Sequence, residues 1–205
     1  MTGFIVTGTD TDVGKTVFAA GLAQALCAAY WKPAQAGLEG ETDSRAVARL
    51  APAALVLPEA YRLETPCSPH EAARIDGVEI ADDALTLPQS ERPLVVEGAG
   101  GVLVPYREDL LAADLFARWN LPAIVVARTA LGTISHTLMS LEALRARGIA
   151  VAGVAFIGEE EPVAEGAITR IGEVSHLGRL PRLDPLNAET LAEAFAQHIR
   201  MDLLA

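Results

Sequence analysis

The apolar residues of the chain gather in short runs that longer amphipathic stretches separate. Five such runs, rich in valine, isoleucine and leucine, cover residues 4–7, 94–96, 123–127, 151–157 and 176–180. Runs that are apolar on both faces are typical of parallel strands that helices cover on both sides. The pattern therefore predicts a parallel sheet that is buried in the centre of the molecule.

The stretches between these runs have the periodicity and the end signals of helices. The predicted helices cover residues 14–29, 43–51, 68–74, 110–119, 133–147, 163–175 and 188–203. Asp43 is a candidate helix cap, Pro69 lies just inside a predicted start, and Gly148 follows a predicted end. Alternating strands and helices predict an α/β fold, a doubly wound, mainly parallel sheet with helices on both faces. We expect one domain over residues 1–205, with residues 52–93 as irregular structure around the sheet.

Composition narrows the class of protein. The 205 residues are 51% hydrophobic, which is enough for a sizeable core. The formal net charge is −11 and no run of basic residues occurs, which argues against a nucleic-acid or anionic-membrane surface. The first residues lack a basic leader and no apolar stretch approaches membrane-spanning length, so a cytoplasmic protein is expected. Cys27 and Cys67 fit no metal-ligand spacing, and we expect buried free thiols.

The segment between the first predicted strand and the first predicted helix nearly matches a phosphate-binding loop. It reads GTDTDVGKT over residues 8–16, with five residues instead of four between Gly8 and Gly14. A glycine-rich turn there aims backbone N–H groups and the positive helix end at one point. Lys15 would then reach the phosphates and Thr16 would bind Mg²⁺. The alternative is a plain turn in which the glycines serve geometry alone.

Four further charged positions fall at strand ends or in the loop, and each has two interpretations. Asp10 and Asp12 either bond their own turn or face a ligand. Glu97 ends a buried strand before four small residues, so it is either a solvated side chain or a ligand of a hard cation. Lys32 precedes Pro33 at a predicted strand end and is either solvated or a second cation beside the phosphates.

Six segments together resemble dethiobiotin synthetases in order and spacing, and they span most of the chain. They are TGTDTDVGKT, KPAQAG, TDS, ETPCSPH, VEGAGGVLVP and ALGTISHTL. The resemblance implies a Rossmann-like P-loop NTPase fold, a homodimer, and a substrate site at the subunit interface. It also implies the conversion of 7,8-diaminopelargonate, CO2 and ATP to dethiobiotin, ADP and phosphate through a carbamate and a carbamic-phosphoric anhydride. Mg²⁺ is the implied cofactor and ATP the co-substrate.

The resemblance also implies a role for each matching residue. The implied catalytic residues are Lys15, Lys32 and Thr11, and the implied Mg²⁺ ligands are Thr16, Asp43 and Glu97. The implied nucleotide-binding residues are Asp12, Val13, Gly14, Lys15, Thr16, Val17, Glu97, Gly98, Ala99, Gly100, Leu180, Pro181 and Arg182. The implied substrate-binding residues are Asp12, Lys32, Ala36, Gly100, Thr133, Ile134 and Ser135. The last three open a helix that would hold the substrate carboxylate from the partner subunit, and an ordinary helix cap is the alternative.

The chain departs from the family pattern at two positions. Ala36 stands where relatives commonly have serine or threonine, and Ile157 stands where an asparagine reads adenine in well-known members. Nucleotide preference is therefore open. A rival hypothesis is a ParA/MinD-like switch ATPase with the same fold, but such proteins usually have a lysine early in the loop, where this chain has Thr9 and Asp10.

Overall fold

A seven-stranded sheet forms the centre of the computed structural model, which describes residues 2–204. This sheet and two smaller two-stranded sheets are formed by the strands β1 (Gly3–Gly8), β2 (Ala29–Trp31), β3 (Ala34–Ala36), β4 (Leu55–Val56), β5 (Tyr61–Leu63), β6 (Leu94–Gly101), β7 (Pro105–Arg107), β8 (Leu110–Leu111), β9 (Ala123–Arg128), β10 (Val151–Ile157) and β11 (His176–Leu180). The main sheet has the order β11-β10-β9-β1-β6-β2-β4. All of its neighbouring strands are parallel. Because β1 is central, the chain winds outward in both directions and leaves a crevice at the carboxyl ends of the strands.

Helices cover both faces of this sheet. They are α1 (Lys15–Leu26), α2 (Asp43–Leu50), α3 (Pro69–Asp76), α4 (Ala112–Trp119), α5 (Thr133–Arg145), α6 (Pro162–Ile171) and α7 (Ala188–His198). Helices α1, α2 and α7 pack on one face, where Phe18, Val47 and Phe195 are buried in one apolar core. The other core contains Phe116 of α4 and Leu141 of α5. The predicted doubly wound α/β fold is confirmed.

The predicted strands are all present, and the errors lie at helix ends and in short strands. Residues 151–157 and 176–180 match β10 and β11, whereas β6 continues to Gly101. The first helix ends at Leu26, not at 29, because Cys27 adopts a left-handed backbone with a φ of 47°. The helix predicted over 110–119 begins at Ala112, because Leu110 and Leu111 pair with β7.

Two further helices are shorter than the sequence predicts. Helix α6 ends at Ile171, and α7 ends at His198, after which a separate 3-10 turn covers Met201–Leu203. Residues 52–93 are mostly irregular, as expected, and they contain α3 where a helix was predicted over residues 68–74. Strands β4 and β5 and a 3-10 turn at Asp83–Leu85 were not predicted. Strand β5 pairs with β3 beside the main sheet.

The cysteine prediction is half wrong. Cys27 and Cys67 are free thiols, as expected, but both are exposed. Cys27 lies at the residue where the chain leaves α1, and Cys67 lies in the loop before α3, so neither side chain reaches a core. Across residues 2–204, no helix has both the length and the apolar composition that crossing a membrane requires.

Candidate active site

The loop between β1 and α1 lies at the carboxyl edge of the sheet and is held by its own side chains. Asp12 and Gly14 have positive φ angles of 56° and 94°, and Gly14 is the residue before the first turn of α1. The backbone N–H of Thr11 donates to Asp10 Oδ1 at 2.8 Å, and Lys15 Nζ donates to the Asp10 carbonyl at 2.7 Å. Asp10 is therefore a turn former, whereas Asp12 faces the adjoining cavity.

The two-residue period of the strands places a second group of polar side chains on one face of the sheet. Tyr30 is paired with Val95 in the β2–β6 ladder, so Tyr30 and Glu97 project from the same face. Lys32 follows β2 directly, two residues after Tyr30. Glu97 is completely buried, and its Oε1 accepts hydrogen bonds from Thr16 Oγ1 at 2.9 Å and Lys32 Nζ at 3.1 Å. Its Oε2 accepts one from the Tyr30 hydroxyl at 2.8 Å.

Asp43 completes this group from the first turn of α2. Its Oδ1 accepts from Thr16 Oγ1 at 3.0 Å, and its Oδ2 lies 2.6 Å from Lys32 Nζ. The predicted capping role of Asp43 is wrong, because Thr42 is the residue before the helix and Asp43 is its first helical residue. The Asp43 carboxylate consequently points at Lys32 and Thr16, while its backbone N–H donates to Gln35 Oε1 at 3.1 Å.

The two carboxylates of the cleft both contact Lys32, whereas Lys15 contacts a backbone carbonyl. Lys15 and Lys32 are the two lysines of the chain, and both are buried here. Burial, with the nearby charge of Lys32, lowers the pKa of Lys15. Burial also acts to lower the pKa of Lys32, but Glu97 and Asp43 outweigh it and leave that pKa above its ordinary value. Burial opposes ionisation of Asp43 as well, and the neighbouring Lys32 charge outweighs it and lowers the Asp43 pKa.

A cavity of about 700 Å³ connects these groups. The predicted site residues that line it are Thr11, Asp12, Gly14, Lys15, Thr16, Val17, Lys32, Ala36, Asp43, Glu97, Ala99 and Gly100. Its opposite wall comes from the loop at the start of α3, at Pro66, Cys67, Ser68 and Pro69. The cavity therefore extends beyond the phosphate loop, as far as the loop at the start of α3.

The remaining predicted site residues do not line the cavity. Val13 and Leu180 are buried in the core beside α1, so only their backbone groups are available to a ligand. Pro181 and Arg182 follow β11 at the same edge of the sheet, and Gly98 packs against Phe116. Thr133, Ile134 and Ser135 begin α5, where Ser135 is exposed and the buried Thr133 hydroxyl has no hydrogen-bond partner within residues 2–204.

Sequence reasoning missed the contacts that Tyr30 and Gln35 make with Glu97 and Asp43. Both lie in strands of three residues, which are too short to show a period. Tyr30 precedes Glu97 by 67 residues, so only the parallel pairing of β2 with β6 brings them together. No local spacing signals this contact.

The oxygen atoms of the cleft suit a hard divalent cation. Thr16 Oγ1 lies 2.9 Å from Glu97 Oε1 and 3.0 Å from Asp43 Oδ1, so three oxygens converge. Among residues 2–204, no group of three or more histidine, cysteine, aspartate or glutamate side chains is placed to hold a metal by itself. Mg²⁺ commonly takes one or two carboxylates and completes its shell with phosphate oxygens and water. The residues present therefore fit that ion together with a nucleotide.

The sequence is similar over nearly its whole length to curated bacterial enzymes. A family model described as an AAA domain matches residues 2–190. The protein "ATP-dependent dethiobiotin synthetase BioD" of Nitrobacter hamburgensis is 58% identical over 203 residues, which are 98% of this chain and 96% of the relative. The protein of the same name from Agrobacterium fabrum is 60% identical over 200 residues, which are 97% and 94% of the two chains.

Solved structures with the same architecture are more distant in sequence. The cell division ATPase MinD of Pyrococcus furiosus superposes with a TM-score of 0.54 at 16% identity, over 96% of this chain and 99% of that one. A ParA family ATPase of Chlorobium tepidum gives a TM-score of 0.52 at 10% identity, over 96% and 98% of the two chains. At these identities the likeness concerns the fold alone.

Proposed function

The chain belongs to the ATP-dependent dethiobiotin synthetase family, ligases of biotin biosynthesis, and we propose that its cleft joins 7,8-diaminopelargonate to CO2 with ATP. One substrate amine adds to CO2 and forms a carbamate. A carbamate oxygen then attacks the γ-phosphorus of ATP, which releases ADP and leaves a carbamic-phosphoric anhydride. The second amine attacks the carbonyl carbon, phosphate departs, and the ureido ring closes.

The observation that carries the proposal is that two buried lysines line one cavity and that two carboxylates hold one of them, Lys32. Both lysines line the cavity, and in the proposal they neutralise the negative charge that grows on the transferring phosphoryl group and on the carbamate. Because Asp43 and Glu97 hold Lys32, its ammonium group is fixed before the substrates arrive. Positioned charges of this kind stabilise a transition state without reorganisation.

Other residues of the cavity support the two substrates. The backbone of the loop from Thr11 to Val17, with Glu97, Ala99 and Gly100, surrounds the phosphates, and Asp12 faces the diamine. Thr16, Asp43 and Glu97 would hold Mg²⁺, which would supply positive charge to the phosphates when bound. Ala36 and the loop at Ser68 form the far wall, so the diamine lies between that wall and Lys32.

The substrate carboxylate and the nucleoside lie outside this cavity in the proposal. Thr133, Ile134 and Ser135 of the partner subunit in a homodimer bind the carboxylate through the N-terminus of α5, where unpaired backbone N–H groups favour an anion. Leu180, Pro181 and Arg182 contact the base, with Leu180 acting through its backbone because its side chain is in the core.

Incorporation of radiolabelled bicarbonate tests the proposal. A carbamate loses its CO2 in acid whereas a ureido ring keeps it, so acid-stable label reports ring closure alone. We expect acid-stable label only when diamine, ATP and Mg²⁺ are all present, with one phosphate released per ring. Lys32→Met, which keeps the length of the side chain without its charge, should lose the label, and a cooperative thermal transition should show that the variant is folded.

The switch-ATPase hypothesis makes the opposite prediction for the same assay. A switch ATPase hydrolyses ATP at a rate that the diamine does not change, and it fixes no label. Diamine-independent phosphate release without acid-stable product would therefore overturn the proposed function.

A further inference from the structure

Tyr30 is a fully buried tyrosine whose hydroxyl contacts the proposed metal ligand Glu97. The contact of 2.8 Å goes to Oε2, whereas Thr16 and Lys32 both contact Oε1. The two oxygens of one carboxylate therefore have different surroundings: Oε1 faces the phosphate loop, and Oε2 faces a tyrosine with no exposed surface.

The position of Tyr30 leaves Oε2 little freedom. Tyr30 packs in the core beside α1 together with Phe18 and Val47, and its backbone is held in the ladder between β4 and β6. Rotation of the Glu97 carboxylate toward the cleft would break the hydrogen bond to Tyr30 and leave a buried hydroxyl without a partner. Such unpaired buried groups are costly.

We propose that Tyr30 is a positioning residue that restricts Glu97 to one metal-facing oxygen and thereby favours Mg²⁺ over Ca²⁺. Mg²⁺ requires near-octahedral geometry with few protein ligands, whereas Ca²⁺ takes six to eight oxygens and often binds both oxygens of a carboxylate. A glutamate that offers one oxygen suits the smaller ion. The inference rests on the proposed function, because it assumes a metal-nucleotide complex in this cleft.

Binding of the β,γ-imido analogue of ATP tests the inference without turnover. Calorimetric titrations of the wild type and Tyr30→Phe are compared, with either Mg²⁺ or Ca²⁺ in large excess over the nucleotide. The phenylalanine keeps the ring packing and removes only the hydroxyl. We expect the wild type to bind the Mg²⁺ complex at least about tenfold more tightly than the Ca²⁺ complex, and Tyr30→Phe to reduce that ratio by about tenfold, the effect of one hydrogen bond to a charged group.

Tyr61→Phe is the matched control, because the Tyr61 hydroxyl accepts a hydrogen bond from the backbone of Ala81 and Tyr61 does not line the cavity. It should leave the metal ratio unchanged. Equal affinity of the wild type for both metal complexes overturns the inference even if Tyr30→Phe does not fold. A folded Tyr30→Phe that keeps the wild-type ratio, or weakens both complexes equally, also overturns it. Failure of the wild type to bind either complex would instead overturn the proposed function.

Discussion

Among single side chains, Lys15 has the most direct proposed role. It is buried at the start of α1, and its ammonium group donates to the loop carbonyl of Asp10. Loss of a preorganised charge contact in a catalytic site typically costs 10²–10³-fold in turnover, so Lys15→Ala should lose at least about 100-fold in diamine-dependent ADP production. Steady-state rates test this, with Tm as the folding control. A folded variant with near-normal turnover would refute the role of Lys15.

A second prediction concerns Ile157 and the choice of nucleotide base. A Cβ added to Gly14 would lie 2.5 Å from Ile157 Cδ1, so this apolar side chain covers the phosphate loop. The family resemblance places an adenine-reading asparagine here, and an apolar wall discriminates weakly between bases. We expect CTP or GTP to support ring closure with kcat/KM within roughly 30-fold of ATP. Turnover with the four ribonucleoside triphosphates tests this prediction, and an ATP preference above about a thousandfold over every other base would refute it.

At the scale of the helices, one glycine in α1 and one in α6 provide a matched pair of substitutions. A Cβ at Gly21 of α1 would overlap the ring of Phe195 on α7, whereas a Cβ at Gly166 of α6 would meet no atom within 4 Å. Gly166→Ala should raise stability by about 0.5–1 kcal/mol through helix propensity. Gly21→Ala should lower it by roughly 1–3 kcal/mol through overpacking, despite the same propensity gain. Urea denaturation measures both, and a stabilised Gly21→Ala would mean that α1 and α7 separate easily.

Asp114 links two helices and gives a pH-dependent prediction. Its carboxylate accepts from the Leu111 N–H at 3.0 Å at the start of α4 and from Arg147 Nε at 2.8 Å after α5. The hydrogen bond from Arg147 lowers the pKa of Asp114. Because the folded pKa lies below the unfolded value of about 3.9, the ionised Asp114 stabilises the folded protein at any pH above that value. This stabilisation is lost as the pH falls through the folded pKa.

Substitution separates the two contacts of Asp114. Asp114→Ala loses both the ion pair and the hydrogen bond that caps α4 at the Leu111 N–H, and this hydrogen bond alone is worth about 1 kcal/mol at neutral pH. Asp114→Asn keeps an oxygen for the cap and loses only the ion pair, worth a few tenths of a kcal/mol because both side chains are partly solvated. Urea denaturation at several pH values measures this. The difference between wild type and Asp114→Asn should shrink below about pH 4, and a constant difference would assign the effect to something other than this charge.

For the assembled molecule, the proposed homodimer predicts that inactive chains can complement each other. Ser135 is exposed at the start of α5 and does not line the cavity of its own chain. If α5 of the partner holds the substrate carboxylate, Lys15→Ala and Ser135→Trp should each be inactive and regain activity when mixed. A mixed dimer contains one site without either lesion.

Two controls define the mixing experiment. Each variant alone, at the same total concentration, should stay inactive, and a tagged chain should demonstrate exchange of subunits. Absence of recovery after demonstrated exchange would mean that each site is built within one chain.

The sequence alone determined the sheet and the phosphate loop. The apolar run over residues 151–157 predicted β10 to the residue, because a strand buried on both faces requires an unbroken apolar stretch. The loop before α1 was recognisable because its glycines, Lys15 and Thr16 act through spacing within one short segment. Features that depend only on residues close together along the chain can be predicted from the sequence.

Tertiary structure alone decided which distant residues meet. Three-residue β2 has too few positions for a period, yet its pairing with β6 brings the Tyr30 hydroxyl to Glu97. The exposure of Cys67 was likewise set by the loop that forms the far wall of the cavity, not by local composition. Contacts between strands depend on sheet order and register, and these follow from how the whole core packs rather than from any local pattern.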